Sequence, residues 1–254
     1  MARIALTGAA SNVGRTVLPA LEDAGHDVTA YTHSPHDDID NELLEITDPA
    51  EFTAALEGHD VVVHLAAKSL PSDPWDEVLP VNIEGTYNCY EAALAGDLDR
   101  VVFASTNHTV QYHNSRDPER PEMLVDDPEP IRADDQFRPD SYYGVSKAFG
   151  ETLGTYYADR YGIEVVNLRI GWLDCDSLRE NITGDGDITR YARAMYLSER
   201  DCRDGIVQSV EADIPRNPLT VNLLSRNQDR YLSLTEAMRG LGYEPRDDSS
   251  EIFD

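Results

Sequence analysis

Lysine is almost missing from this chain. There are two, Lys68 and Lys147, against nineteen arginines. Positive charge is sparse altogether: 21 Lys and Arg face 48 Asp and Glu, for a formal net charge of −27. A surface this acidic repels polyanions, which excludes nucleic acid and anionic membrane as partners. Salt screens the self-repulsion of such a surface. The carboxylate-rich, lysine-poor composition therefore reads as an adaptation to high salt and carries no information about chemistry. Acidic chains can be disordered, but 41% hydrophobic residues and apolar runs such as "DVVVHLAA" and "RVVFAS" describe a globular protein.

Cysteine is scarce too. Cys89, Cys175 and Cys202 are odd in number and scattered, which gives neither a disulfide framework nor a metal-ligand spacing. Free thiols in a reducing cytoplasm are expected, with no metal. No apolar run approaches the roughly 18 residues needed to cross a bilayer. The opening "MARIALTGAA" reads as the start of a strand, not as a signal peptide. A soluble cytoplasmic protein is the expectation.

What is present is alternation. Residues 3–7, 26–32, 60–67, 100–105 and 163–170 read as strands, the third as an uninterrupted apolar one suited to a sheet covered on both faces. Helical spacing occupies about 12–24, 48–58 with Gly58 as its stop, 76–95 and 142–161, and residues 113–140 form a long loop. Strands alternating with helices predict an α/β fold, a Rossmann-type doubly wound parallel sheet. Residues 1–170 read as the dinucleotide-binding domain. Residues 171–254 read as a small substrate-binding cap, with helix at 190–213, a strand at 219–225 and a helix at 233–243 returning to the main sheet.

"ALTGAASNVGR" (5–15) sets Gly8 and Gly14 six apart at a strand-to-helix junction, with Ser11, Asn12 and Val13 opening the helix. Glycines there allow a tight turn and close helix packing, and the helix N-terminus offers N–H groups to a pyrophosphate. Ser11 stands where the usual spacing has glycine, and its hydroxyl is read as a donor to the phosphates. The second strand ends in Thr32, His33 and Ser34, without the carboxylate that binds the ribose hydroxyls of NAD. That leans slightly to NADP or to dual use, with Asp37 and Asp38 close by.

"SYYGVSKAFGE" (141–151) holds one of the two lysines. Tyr143 and Lys147 are four apart on a predicted helix and share a face. An ammonium beside a phenol favours the phenolate, so Tyr143 is expected to have a lowered pKa and to act as a general base. Lys147 is also placed to bond a nicotinamide ribose.

With these stretches quoted, and with "HLAA" (64–67), "VNIEGTYN" (81–88), "FASTNH" (103–108) and "NLRIG" (167–171), the chain resembles the extended short-chain dehydrogenase/reductase family over nearly its whole length. Within it the chain looks most like the sugar 1-dehydrogenases, a group with uronate dehydrogenases and with hexose-6-phosphate and aldopentose dehydrogenases of salt-loving archaea. The resemblance implies that Thr106 polarises the reacting hydroxyl, Tyr143 removes its proton and Lys147 supports Tyr143. It implies that Ser69, Asn107 and His108 contact substrate, that Asn82 is a structural and proton-relay residue, that Ala66 and Ala67 line the adenosine side, and that Glu45 and Ile46 grip the adenine. A homodimer through helices 76–95 and 142–161 is likewise implied.

In uronate dehydrogenases an arginine five residues before a "W-[FL]-S" stretch reads the carboxylate. The matching stretch here is Tyr196, Leu197 and Ser198, and five before it stands Tyr191, with Arg190 and Arg193 as the neighbouring cations. Trp172 follows "RIG" and offers an aromatic face to a sugar ring. These departures point to a neutral aldose, L-arabinose- or galactose-like, oxidised at its anomeric C1 hydroxyl to an aldonolactone. The alternatives are an anionic-sugar dehydrogenase (hexuronate or glucose 6-phosphate), a nucleotide-sugar epimerase or dehydratase of the same fold, and a non-catalytic dinucleotide sensor.

Overall fold

In the computed structural model, which describes residues 1–184 and 186–253, seven parallel strands make one sheet. The elements run β1 (Arg3–Thr7), α1 (Asn12–Asp23), β2 (Asp27–Thr32), β3 (Glu42–Leu43), α2 (Pro49–Leu56), β4 (Val61–His64), α3 (Trp75–Val78), α4 (Gly85–Ala95), β5 (Arg100–Thr106), α5 (Tyr142–Tyr161) and β6 (Glu164–Ile170). There follow β7 (Trp172–Leu173), α6 (Asp176–Arg179), α7 (Asp187–Met195), β8 (Tyr196–Leu197), α8 (Glu199–Glu211), β9 (Leu219–Leu223), α9 (Thr235–Gly240) and α10 (Ser249–Ile252). The sheet order is β3-β2-β1-β4-β5-β6-β9, and β7 pairs with β8 apart from it.

Strand periodicity divides the core into two layers. Ile4, Leu6, Val61, Val63 and Val102 point to the side that holds α1 and α8. Ala5, Val62, Val101, Phe103 and Val165 point to the side that holds α2, α4 and α5, where they meet Phe52, Tyr90 and Tyr157. Both layers are buried, which is why the strands read as unbroken apolar runs.

Three differences from the expected elements have local causes. The helix expected over 76–95 is α3, a π-turn at Leu79–Glu84 and then α4. Pro80 lies at the start of that turn and has no N–H for the helical ladder, so the chain widens there. The strand expected over 60–67 ends at His64, after which the chain leaves the sheet along the rim where a ligand would lie. The two-residue edge strand β3 is too short to show a period.

The segment after residue 170 is bound into the main body. β9 pairs parallel with β6, Leu219 opposite Val166 and Leu223 opposite Ile170. Arg100 on β5 donates to the carbonyls of Ser209 (3.1 Å), Val210 (2.6 Å) and Ala212 (2.9 Å) at the end of α8. Arg203 on α8 donates to the carbonyl of Thr16 on α1 at 3.1 Å. Among the described residues no helix is long and apolar enough to cross a membrane.

Candidate active site

The order of connection reverses between β1 and β4, and such a switch point opens a crevice at the carboxyl ends of the strands. A cleft of about 870 Å³ lies there. Gly8 closes β1 in the left-handed region, at φ +70°, and a Cβ on it would stand 2.7 Å from the Ala66 nitrogen. Gly14 carries α1 down onto this turn, where a Cβ would stand 2.5 Å from the Gly8 oxygen. The Ser11 hydroxyl oxygen caps α1 by accepting from the Gly14 N–H at 3.0 Å. Its own proton stays free, and the first-turn N–H groups of Asn12 and Val13 lie at the cleft wall. This turn fits a pyrophosphate: small, rich in N–H donors, at the positive end of a twelve-residue helix.

Beyond the turn the cleft is lined by Thr32, His33, Ser34, His36, Glu45 and Ile46. The Thr32 hydroxyl is committed, donating to the Ser34 carbonyl at 2.7 Å and accepting from Asn41 at 2.6 Å. His33 is exposed, its Nδ1 3.3 Å from the Glu45 carboxylate. Hydrogen bonds from the Thr47 N–H and hydroxyl hold Glu45 below the usual carboxylate range. A carboxylate therefore does reach this end of the cleft, delivered by the loop after β3 and not by β2. A cation stands just behind this lining, against His36. Arg15 donates to the Ala10 carbonyl at 3.0 Å, pairs with Asp38 and comes within 3.5 Å of His36 Nδ1. Arg15 and His36 went unread in the sequence, because only the fold brings α1 against the 33–38 loop.

At the other end Thr106, Tyr143 and Lys147 converge on the same cleft. Thr106 ends β5. Tyr143 and Lys147 lie on the first two turns of α5, whose Ser141 cap accepts from the Gly144 N–H at 3.0 Å. The Tyr143 phenol is hydrogen-bonded to Thr106. Lys147 is 2% exposed, and its Nζ stands 5.9 Å from the centre of the Tyr143 ring. The expected acidification of Tyr143 is reversed in the protein by itself. Burial pushes the phenol up to about 12, against the pull of the Thr106 hydrogen bond. Burial also brings Lys147 down to about 7. Loss of hydration opposes charge on either group and outweighs their mutual attraction at this separation.

The remaining expected residues divide. Ala66, Ala67, Ser69 and Trp172 line the cleft, as does Lys68, so both lysines of the chain border it. Asn82 is behind the wall: it accepts from the Lys68 N–H (2.8 Å) and donates to the Lys68 carbonyl (2.9 Å) and to Ser146 (2.9 Å), tying the β4 loop to α5. Asn107 donates to the Tyr191 hydroxyl at 2.7 Å. His108 is bonded to Asp140 at 2.7 Å and packs its ring edge-on to Tyr143. Neither Asn107 nor His108 lines the cleft. Arg190 and Arg193 are turned away from it. Arg190 donates to the carbonyls of Val125 (2.8 Å) and Asp126 (2.9 Å), and Arg193 to that of Ile182 (3.3 Å). Cys175 and Ser177 line the cleft and were missed. They sit at the cap and in the first turn of α6, a four-residue helix too short to show a period, so nothing in the sequence aimed them inward.

A family model described as the NAD dependent epimerase/dehydratase family matches residues 4–204. The chain belongs to that family. Within it the chain is 56% identical to L-arabinose 1-dehydrogenase (NAD(P)(+)) of Haloferax volcanii, over 100% of each protein. It is 37% identical to the NAD-dependent glucose-6-phosphate dehydrogenase of the same organism, over 98% of this chain and 95% of the other. Among solved structures, a variant of uronate dehydrogenase from Agrobacterium tumefaciens complexed with NAD superposes with a TM-score of 0.80 at 29% identity, over 98% of this chain and 86% of that one. The family's sugar 1-dehydrogenases are thus the group this chain falls among, as "STNH", "YYGVSKAFGE" and "LRIG" led one to expect.

Proposed function

We propose that the protein is an NAD(P)-dependent sugar 1-dehydrogenase that oxidises the anomeric hydroxyl of a neutral cyclic aldose to the aldonolactone. The observation that carries the reaction is the convergence of Thr106, Tyr143 and Lys147 with the Gly8–Gly14 turn in one cleft. The pyrophosphate would lie on the Ser11–Val13 turn, the adenosine against Glu45 and Ile46, and the nicotinamide ribose toward Lys147. When bound, a nicotinamide supplies the acceptor for the C1 hydride. The chain does the proton chemistry. Thr106 orients the C1 hydroxyl, Tyr143 takes its proton, and the electrons of that O–H bond form the lactone carbonyl as the C1–H bond is given up. Lys147 favours the phenolate that accepts the proton.

A neutral substrate is supported by the charges around the cleft. No arginine lines it among the described residues. Lys68 is paired with Glu77 at 2.9 Å, and Lys147 belongs to the catalytic pair. Phosphate and carboxylate recognition calls for an available fork of guanidinium donors. The L-arabinose 1-dehydrogenase named above makes a pentose the first candidate. Dual use of NAD and NADP fits the opposed Glu45 and Arg15. The acid-rich surface suits cytoplasmic work at molar salt. A homodimer through α4 and α5 fits the half-exposed Tyr87 and Tyr156 on their outer faces.

The decisive experiment is a panel of neutral aldoses, hexuronates and sugar phosphates, each with NAD and with NADP, at molar salt. Reduction of cofactor by L-arabinose or a related neutral sugar is expected. Preference for a uronate or a sugar phosphate would overturn the substrate class, and no reduction with any sugar would overturn the reaction.

A further inference from the structure

Lys147 is a buried ammonium that meets no carboxylate among the described residues. Three titratable groups face it: Tyr143 from its own helix, His64 from β4 and Cys89 from α4. All three are uncharged near neutrality. Burial holds His64 down at about 3, lifts Tyr143 to about 12 and lifts Cys89 further still. None offers the negative charge that a desolvated ammonium ordinarily needs.

What does face the ammonium is a ring. Lys147 Nζ stands 4.8 Å above the centre of Phe103. Phe103 is wholly buried on β5. His64, its register partner on β4, stacks beside it with ring centroids 6.2 Å apart and 24° between the ring planes. On the helix side the neighbour is Gly150, three residues after Lys147. A Cβ there would stand 2.2 Å from Phe103 Cζ and 2.6 Å from Cε1. The ring can lie against α5, under the lysine, only because residue 150 has no side chain.

We propose that Phe103 is a positioning residue for Lys147: its π-face holds the ammonium charged at the cleft floor, and Gly150 is the residue that admits the ring. The negative face of an aromatic ring attracts a cation, and the attraction is strongest where water is excluded. This deepens the reading of Lys147 as the support of Tyr143, and it assigns the lysine's charge to a hydrocarbon partner.

The test exploits the two lysines of the chain. Trace labelling of the folded protein with 1-fluoro-2,4-dinitrobenzene across a pH series, followed by peptide mass analysis, reads the midpoint of each ε-amine separately. In Phe103→Leu the Lys147 midpoint should fall by about one pH unit, in Phe103→Tyr it should stay, and Lys68 should be unchanged in both. Phe103→Met retains bulk without a ring and should behave as the leucine variant, which covers the case where leucine packs too poorly to fold. Gly150→Ala should lower the midpoint by pushing the ring aside, and adding it to Phe103→Leu should lower it no further. An unchanged Lys147 midpoint in the leucine or methionine variant overturns the proposal. Labelling needs no turnover, so a chain inactive on every sugar would refute the proposed reaction and leave this result standing, and the reverse holds equally.

Discussion

Tyr143 and Lys147 stand one helical turn apart on α5, and burial drives their two pKa values apart, the phenol up to about 12 and the amine down to about 7. Near neutral pH the proton acceptor thus rests as the neutral phenol, while its electrostatic support is poised between the ammonium and the amine. Tyr143→Phe removes only the acceptor oxygen. It should lower kcat by roughly 10²- to 10⁴-fold and leave the dissociation constants of NAD and NADP, measured by fluorescence titration, where they were. Full activity in this variant would reject Tyr143 as the base.

Lys147 is expected to work against stability. Its folded pKa of about 7 lies below the ordinary 10.5, so between those values the unfolded chain binds the extra proton and stability rises with pH. The cost is therefore fully present below pH 7 and gone above about 10.5. Lys147→Met should raise Tm near pH 7 by several degrees, an effect on the order of a few kcal/mol, and lose activity. The gain should shrink steadily toward pH 10 at constant salt. Equal melting curves at pH 6–7 would show that the lysine carries no such penalty.

Cofactor choice should be divisible by mutation. Arg15 is the cation nearest the end of β2, and a charged hydrogen bond to a phosphate is worth about 1.5–3 kcal/mol. Arg15→Ala should raise KM for NADP about ten- to hundredfold and leave KM for NAD nearly alone. His33→Asp adds a carboxylate beside Glu45 and should shift kcat/KM in favour of NAD. Ratios of NAD to NADP efficiency that stay at the wild-type value in both variants would remove this corner from cofactor recognition.

Cys175 should be the thiol that matters. Cys89 and Cys202 are buried, whereas Cys175 lines the cleft, 3.2 Å from the Ser177 hydroxyl that also accepts from Trp172 Nε1 at 3.4 Å. N-ethylmaleimide should inactivate the enzyme with single labelling, a saturating sugar substrate should slow that loss, and Cys175→Ser should resist it. Inactivation that proceeds equally fast in the serine variant would place the reactive group elsewhere.

The sheet was readable because β1, β4, β5 and β6 are buried on both faces and show as plain apolar runs. The Gly8–Gly14 turn and the Tyr143–Lys147 spacing were readable because each is a local pattern on one element. What stayed hidden depends on long-range placement. Arg190 and Arg193 looked like substrate cations from their numbers alone, but α7 lies so that their guanidiniums meet backbone carbonyls. Glu45 was read as an adenine contact, and its pairing with His33 needed the β3 loop folded back on β2. The sign of the Tyr143 shift was misjudged for a related reason: helix spacing tells which groups are neighbours, and only the fold tells how much water each has lost.

Since Lys68 and Lys147 both border one groove, amine chemistry has almost nowhere else to go on this molecule. Activated-ester beads, bifunctional crosslinkers and the open-chain aldehydes of reducing sugars would condense either with the N-terminal amine or with the groove itself. Immobilisation that spares turnover should therefore be engineered through the abundant surface carboxylates. Slow loss of activity in concentrated aldose should be traceable to adducts on these two side chains.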